Sequence, residues 1–149
     1  MTIKEFEMKK GIIVSGYFNP LHKGHIEYLK LSKEKGDLLI VIVNNDFQRK
    51  LKSSKFFMNE EERLLIVSEL KVVDKVYLSI DKDKSVSKTI QKIYFELKNE
   101  YELFFANGGD QDNSSILETK ICKELDIEMI NGLGSKIQSS SWLLKNNNF

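Results

Sequence analysis

The stretch Gly11–Leu29, GIIVSGYFNPLHKGHIEYL, decides how this chain is read. Ile12–Val14 is a short apolar run of the kind that forms a buried strand. Ser15 and Gly16 then suggest a tight turn, and Asn19-Pro20 prolongs the loop with the only proline in the chain. His22, Lys23, Gly24 and His25 follow, with Ile26 and Leu29 at helical spacing. A strand therefore runs through a loop into the first turn of a helix, and that turn receives the only two histidines of the protein. The first backbone N–H groups of a helix lack intrahelical partners and carry the positive end of its dipole, so the turn suits an anion. Histidines three apart share a helical face. Gly24 keeps bulk off that face, and imidazoles hydrogen-bond phosphate oxygens near neutral pH. A pair of surface histidines or part of a metal site would give the same pattern. Neither reading needs a buried imidazole, so the fold is expected to survive loss of the pair.

Outward from this stretch, apolar and helical segments alternate. Lys35-Gly36 reads as a helix C-cap in the left-handed conformation. Leu38–Val43, LLIVIV, is apolar without alternation, as in a strand covered on both faces. A polar loop is expected from Asn44 to Phe57, and Asn59 then caps a helix whose first turn holds Glu60, Glu61 and Glu62. Val72–Leu78 is the third strand, shortened at its start by Asp74. Ile90, Ile93, Tyr94 and Leu97 mark an amphipathic helix. Leu103–Ala106 is the fourth strand, Ile116–Leu125 a helix, Ile127–Ile130 the fifth strand, and Ser139–Lys145 the start of a last helix. The alternation predicts one domain over 1–149: α/β, with a five-stranded parallel sheet and helices on both faces. Ligands of such sheets bind beyond the carboxyl ends of the strands. No GxGxxG or Walker A pattern is present.

Composition narrows the class. The 149 residues suit one compact domain, and 41% apolar content can build its core. Lys+Arg at 23 against Asp+Glu at 22 leaves +1 net, which argues against a nucleic-acid or polybasic membrane binder. The single cysteine, Cys122, excludes an internal disulfide and a multi-cysteine zinc site, and its helix position makes it a packing residue. MTIKEFEMKK lacks the apolar core of a signal peptide. No apolar run reaches the about 18–20 residues of a membrane span. A soluble, cytoplasmic protein is expected.

Three further clusters follow strands. Lys52, with Lys55 nearby, places a flexible ammonium where it can meet a phosphate as a point charge. Asn107-Gly108-Gly109-Asp110 lets backbone approach a ligand closely and offers a carboxylate to a base, a ribose or a hydroxyl. Ser139-Ser140-Ser141 stands just ahead of an apolar helical run, as N-caps do.

Gly16-Tyr17-Phe18-Asn19-Pro20-Leu21-His22-Lys23-Gly24-His25 resembles the HxGH signature of the nucleotidyltransferase superfamily. From about Lys10 to about Leu144 the chain resembles the small cytidylyltransferase-like enzymes, among them glycerol-3-phosphate cytidylyltransferase and the heptose-1-phosphate adenylyltransferase domain. The resemblance implies a Rossmann-like fold and an enzyme that moves AMP or CMP from an NTP to a phosphorylated small molecule, a sugar or polyol phosphate, releasing pyrophosphate. It makes His22, His25 and Lys52 catalytic. It places Gly16, Tyr17, Phe18, Gly24, Asn107, Gly109, Asp110 and Ser139–Ser141 around the nucleotide. Lys52, Lys55, Arg63 and Lys136 would meet phosphate, Arg63 either directly or by orienting the site through acidic residues. Gly134–Gln138 has no arginine where glycerol-3-phosphate enzymes carry R-T-E-G, and Lys136 supplies the positive charge there. Mg²⁺ bound mainly by the phosphates, and a homodimer, are the further expectations. Two readings stand beside this one. A cofactor-pathway adenylyltransferase would act on NMN, FMN or phosphopantetheine, and Phe18-Asn19-Pro20 is shared with nicotinamide mononucleotide enzymes. A nucleotide sensor without catalysis would use the same fold.

Overall fold

A computed structural model describes residues 8–53, 55–108 and 113–133, with backbone alone for 113–116 and 132–133. The elements run β1 Lys9–Gly16, α1 Lys23–Lys33, β2 Leu38–Val43, α2 Asp46–Leu51, α3 Glu60–Ser68, β3 Lys75–Leu78, α4 Ser87–Leu97, β4 Tyr101–Gly108, α5 Asn113–Glu124 and β5 Glu128–Leu133. The five strands form one parallel sheet in the order β3-β2-β1-β4-β5. The α/β, Rossmann-like architecture expected from the alternating segments is the one observed. The last helix expected at Ser139–Lys145 lies outside the described residues.

The continuous apolar runs serve two separate cores. Along a strand successive side chains point to opposite faces. Ile12 and Val14, Leu39, Val41 and Val43, and Phe104 and Ala106 meet Leu29 of α1 and Val67 of α3 on one face. Ile13, Ile40, Ile42, Leu103 and Phe105 meet Ile90, Ile93 and Leu97 of α4 and Cys122 of α5 on the other. Register sets these layers: Ile13 lies opposite both Ile40 and Phe105. The order in which strands are added reverses between β1 and β4, so the switch point lies beyond their carboxyl ends, where such folds take their ligands. Cys122 is buried, and burial together with the Glu118 charge pushes its thiol up to about 12, which leaves it a packing group. Among the described residues no helix is long and apolar enough to cross a membrane.

Three local expectations are corrected. Ser15 and Gly16 are not a turn but the last residues of β1, paired with Ile42 and Val43. The stretch from Asn44 is not all loop: Asp46–Leu51 is α2, capped by Asn45, whose side chain accepts from Gln48 N–H, while Gln48 Oε1 accepts from Asn45 N–H. That reciprocal pair is a capping box. Gly36 is needed for space rather than for a left-handed backbone. A Cβ there would stand 2.8 Å from the Lys10 carbonyl oxygen and 2.8 Å from Ile12 Cγ1. The α1–β2 turn presses this close because Lys10 N–H donates to Asp37 Oδ2 and Asp37 N–H donates to the Lys10 carbonyl, both at 2.8 Å. Since one obstruction is backbone of β1, Gly36→Ala should destabilise the protein by about 1–3 kcal/mol in urea unfolding, as overpacked sites do. An unchanged midpoint would mean that the turn lifts off β1 freely.

Candidate active site

The loop after β1 is shaped from inside. Phe18 holds φ at 53°, uncommon for a bulky residue, and its ring turns back into the α1/α3 core. Gly16 makes room for that ring, since a Cβ would lie 2.8 Å from Phe18 Cζ. The Phe18 ring then meets His25 edge to face, with centroids 5.1 Å apart. Gly16 and Phe18, expected around the nucleotide, thus support the histidine from beneath.

His22 is the N-cap of α1 and His25 its third residue. Gly24 N–H donates to His22 Nδ1, and His22 N–H donates to His25 Nδ1, each at 3.1 Å. The rings stack with centroids 3.9 Å apart and 27° between their planes. The expectation that the fold is indifferent to these imidazoles is therefore corrected: they close the helix end, a task normally given to Ser, Thr, Asp or Asn. The caps also settle the tautomer. A nitrogen that accepts a backbone N–H carries no proton, so in each neutral ring the proton sits on Nε2. Burial lowers the pKa of His22. Burial, and then repulsion by His22, brings His25 down to about 3. The pair is neutral at physiological pH and presents Nε2–H donors. Nε2 of His22 is buried and meets no hydrogen-bond partner among the described residues. A buried donor left in that state costs about 1–3 kcal/mol, which an incoming acceptor would remove.

Arg63 is fully buried. Its Nη1 donates to the carbonyls of Tyr17 at 2.9 Å and Asn44 at 2.6 Å. Nε donates to the Met58 carbonyl at 3.0 Å, and Nη2 to Asp46 Oδ1 at 2.8 Å. Asp46 in turn exchanges contacts with Glu60: Asp46 N–H donates to Glu60 Oε1, and Glu60 N–H to Asp46 Oδ2. Direct phosphate contact by Arg63 is corrected accordingly. The guanidinium is spent on the loops after β1 and β2 and on the entry to α3. The acidic residue through which it acts is Asp46, not one of Glu60–Glu62.

Lys52 is exposed at the end of α2, and its Nζ lies 4.6 Å from the centre of the Tyr17 ring. This puts the ammonium on the histidine loop. Lys55 is exposed too, and its carbonyl accepts from Asn19 Nδ2 at 2.9 Å. Asn107, next to last in β4, donates from its side chain to Asn131 Oδ1 at 2.9 Å, while Tyr28 of α1 donates to the Ala106 carbonyl. His22 thus stacks on His25, Lys52 lies against Tyr17 of the loop that leads to them, and Asn107 lies near the carboxyl end of the neighbouring strand β4. Gly109, Asp110, Lys136 and Ser139–Ser141 lie outside the described residues. The sequence reading missed Asn19, Asp46 and Gln48. Asn45 and Gln48, three apart ahead of Leu51, were the signal for α2.

A cytidylyltransferase-like family model matches residues 13–139. The chain is 34% identical to the FAD synthase of Picrophilus torridus, over 87% of this chain and 90% of that one. It is 33% identical to the FAD synthase of Thermoplasma volcanium, over 90% and 91%. It is 31% identical to the bifunctional protein HldE of Wolinella succinogenes, over 89% of this chain but 28% of that longer one. Among solved structures, a lipopolysaccharide core biosynthesis protein from Thermoplasma volcanium superposes with a TM-score of 0.67 at 32% identity, covering 87% of this chain and 99% of that one. A bifunctional NMN adenylyltransferase/ADP ribose pyrophosphatase from Francisella tularensis shares the fold, with a TM-score of 0.64 at 19% identity over 95% of this chain and 43% of that one.

Two outcomes follow from the site. Arg63→Met should cost about 3–5 kcal/mol in urea unfolding, because it leaves Asp46 without its partner and two buried carbonyls unbonded; a loss under about 1 kcal/mol would show that the loops stand without it. Nitrogen NMR of the imidazoles should report Nε2–H tautomers for both rings, with no titration near 6.5. Because the folded pKa values are depressed, the unfolded chain binds the extra protons, so the pair's contribution to stability is complete above 6.5 and fades as pH falls toward 3. An ordinary titration near 6.5 would overturn both assignments.

Proposed function

We propose, on the premise that this chain belongs to the cytidylyltransferase-like family and is a nucleotidyltransferase, that it transfers AMP from ATP to a phosphorylated acceptor, with flavin mononucleotide as that acceptor. The observation that carries the proposal is the stacked pair of neutral imidazoles at the start of α1, with the buried Nε2–H of His22 in want of an acceptor. The acceptor follows from the relatives matched over most of their length, which are named FAD synthases, and joining AMP to flavin mononucleotide is the step that yields FAD. A sugar phosphate is the second reading. It is supported by the likeness to the lipopolysaccharide core biosynthesis protein.

In this mechanism a phosphate oxygen of the acceptor attacks the α-phosphorus of the nucleotide. The new P–O bond forms as the bond to the β-phosphate oxygen breaks, and pyrophosphate leaves. The nucleophile is already an anion, so no base is required. Catalysis is then positioning together with stabilisation of charge on the five-coordinate phosphorus. His22 and His25 direct Nε2–H groups at the α-phosphate oxygens, at the positive end of α1. Lys52 brings the two phosphates together against their repulsion. Resemblance to the family assigns the outer phosphates to Ser139–Ser141 and Lys136, and the nucleoside to Gly109 and Asp110. Mg²⁺ would be held mainly by the nucleotide's phosphates, since the imidazoles spend their Nδ1 lone pairs on backbone amides and offer donors. When bound it would neutralise triphosphate charge.

Pyrophosphate release with ATP or CTP against flavin mononucleotide, heptose phosphates and glycerol 3-phosphate tests the reading; turnover with a sugar phosphate and none with the flavin would select the second. His22→Asn keeps a capping acceptor and tests the donor alone. It and His25→Ala should each lower kcat by about a hundred- to a thousandfold, or ~3–4 kcal/mol, with a smaller change in KM for the nucleotide. Lys52→Ala should raise KM for the acceptor more than for ATP. A folded variant lacking both imidazoles yet within about tenfold of wild-type kcat would sink the mechanism.

A further inference from the structure

The Asn19 side chain reaches across to the loop before α3 and grips it at two points. Its Nδ2 donates to the Lys55 carbonyl at 2.9 Å, and its Oδ1 accepts from Met58 N–H at 3.0 Å. Asn19 is itself buried. The residues between the two grips are Phe56 and Phe57, and they are 58% and 63% exposed. Two neighbouring aromatic rings are thus held out into solvent by a residue of the very loop that carries His22. Fixing large apolar rings in water this way has no use for stability. Burial would favour them by about 1.5–3 kcal/mol each. Their surroundings are cationic. The Arg49 guanidinium lies 5.1 Å from the Phe56 ring centre, and Lys52 and Lys55, both exposed, precede the ring pair in sequence.

We propose that Phe56 and Phe57 seat the planar ring system of a phosphorylated heteroaromatic acceptor, the isoalloxazine of flavin mononucleotide, an inference that rests on the acceptor reading above. An acceptor of that kind has two ends of unlike chemistry. Its flat face suits the ring pair, and its anionic phosphate suits Lys52 beside the histidine loop. The ribityl chain joins them. A sugar phosphate offers no flat face, so the pair would act as a selector between the two acceptor classes. The Asn19 clamp makes the selection rigid, since the loop that positions the reacting phosphorus also positions the rings.

The full chain is to be titrated with flavin mononucleotide, reading the polarisation of its fluorescence, and assayed for FAD formation from flavin mononucleotide and ATP. Both rings are exposed, so Phe56→Ala and Phe57→Ala should fold. Each should weaken flavin binding and raise its KM by about tenfold, as loss of an aromatic stacking partner does, with kcat and KM for ATP unchanged. Phe57→Trp should restore binding. If the wild type makes FAD while both alanine variants bind flavin as tightly as it does, the ring seat is wrong and the acceptor reading stands. If the wild type makes no FAD, the acceptor reading falls and the seat with it. Variants that turn a sedimenting dimer into a monomer while leaving flavin binding intact would reassign the rings to contact between two copies of the chain.

Discussion

The buried Arg63 guanidinium is the constraint on which the site depends. Parallel sheets end in separate loops that no strand ladder joins, and a site built on several such loops needs something to hold them in common. Here one side chain bonds the carbonyls of Tyr17, Asn44 and Met58 and the carboxylate of Asp46. A planar fork with several fixed donors can do this; a lysine ammonium, compact and strongly hydrated, would not span the same set. The charge stays tolerable in the interior because its partner is ionic and its other acceptors are backbone dipoles already aimed at it.

The histidine pair shows a second economy. A helix start ordinarily takes a small oxygen-bearing cap. Imidazoles take that role here, and each consumes its acceptor nitrogen on a backbone amide. What each ring has left to offer is then a donor by necessity. Neutral donors suit a phosphoryl group that gains charge during reaction, since they bind without first forming a tight ion pair with the ground state. With the rings stacked at 3.9 Å, the charge of His22 adds to burial in opposing protonation of His25.

The sheet and the histidine turn were legible because their signals are local. LLIVIV without alternation, the i, i+3, i+4, i+7 pattern through Ile90–Leu97, and a strand–loop–helix junction around His22 all speak within a few residues. Arg63 was legible as a site residue but not in its role, since its partners come from Tyr17, Asn44 and Asp46, far off in sequence. Gly36 pointed to the right place for the wrong reason, because the neighbour that excludes a Cβ belongs to another strand. The Asn19 clamp on Lys55 and Met58 left no trace that spacing could show.

The place of β4 beside β1 bears on how the protein comes to be. Lys9 pairs with Tyr101, and all of α1, β2, α2, α3, β3 and α4 intervene between them. Contacts of such long separation close late, because the chain must give up loop entropy before they contribute. The β1–β3 half can gather through neighbouring segments, carrying His22, Arg63 and Lys52 with it. The crevice itself does not exist until β4 docks. During synthesis the half that bears the reactive groups emerges first and stays without its pocket wall. A lesion in α4 or at the amino end of β4, remote from the histidine turn, can therefore silence the molecule at birth rather than at work.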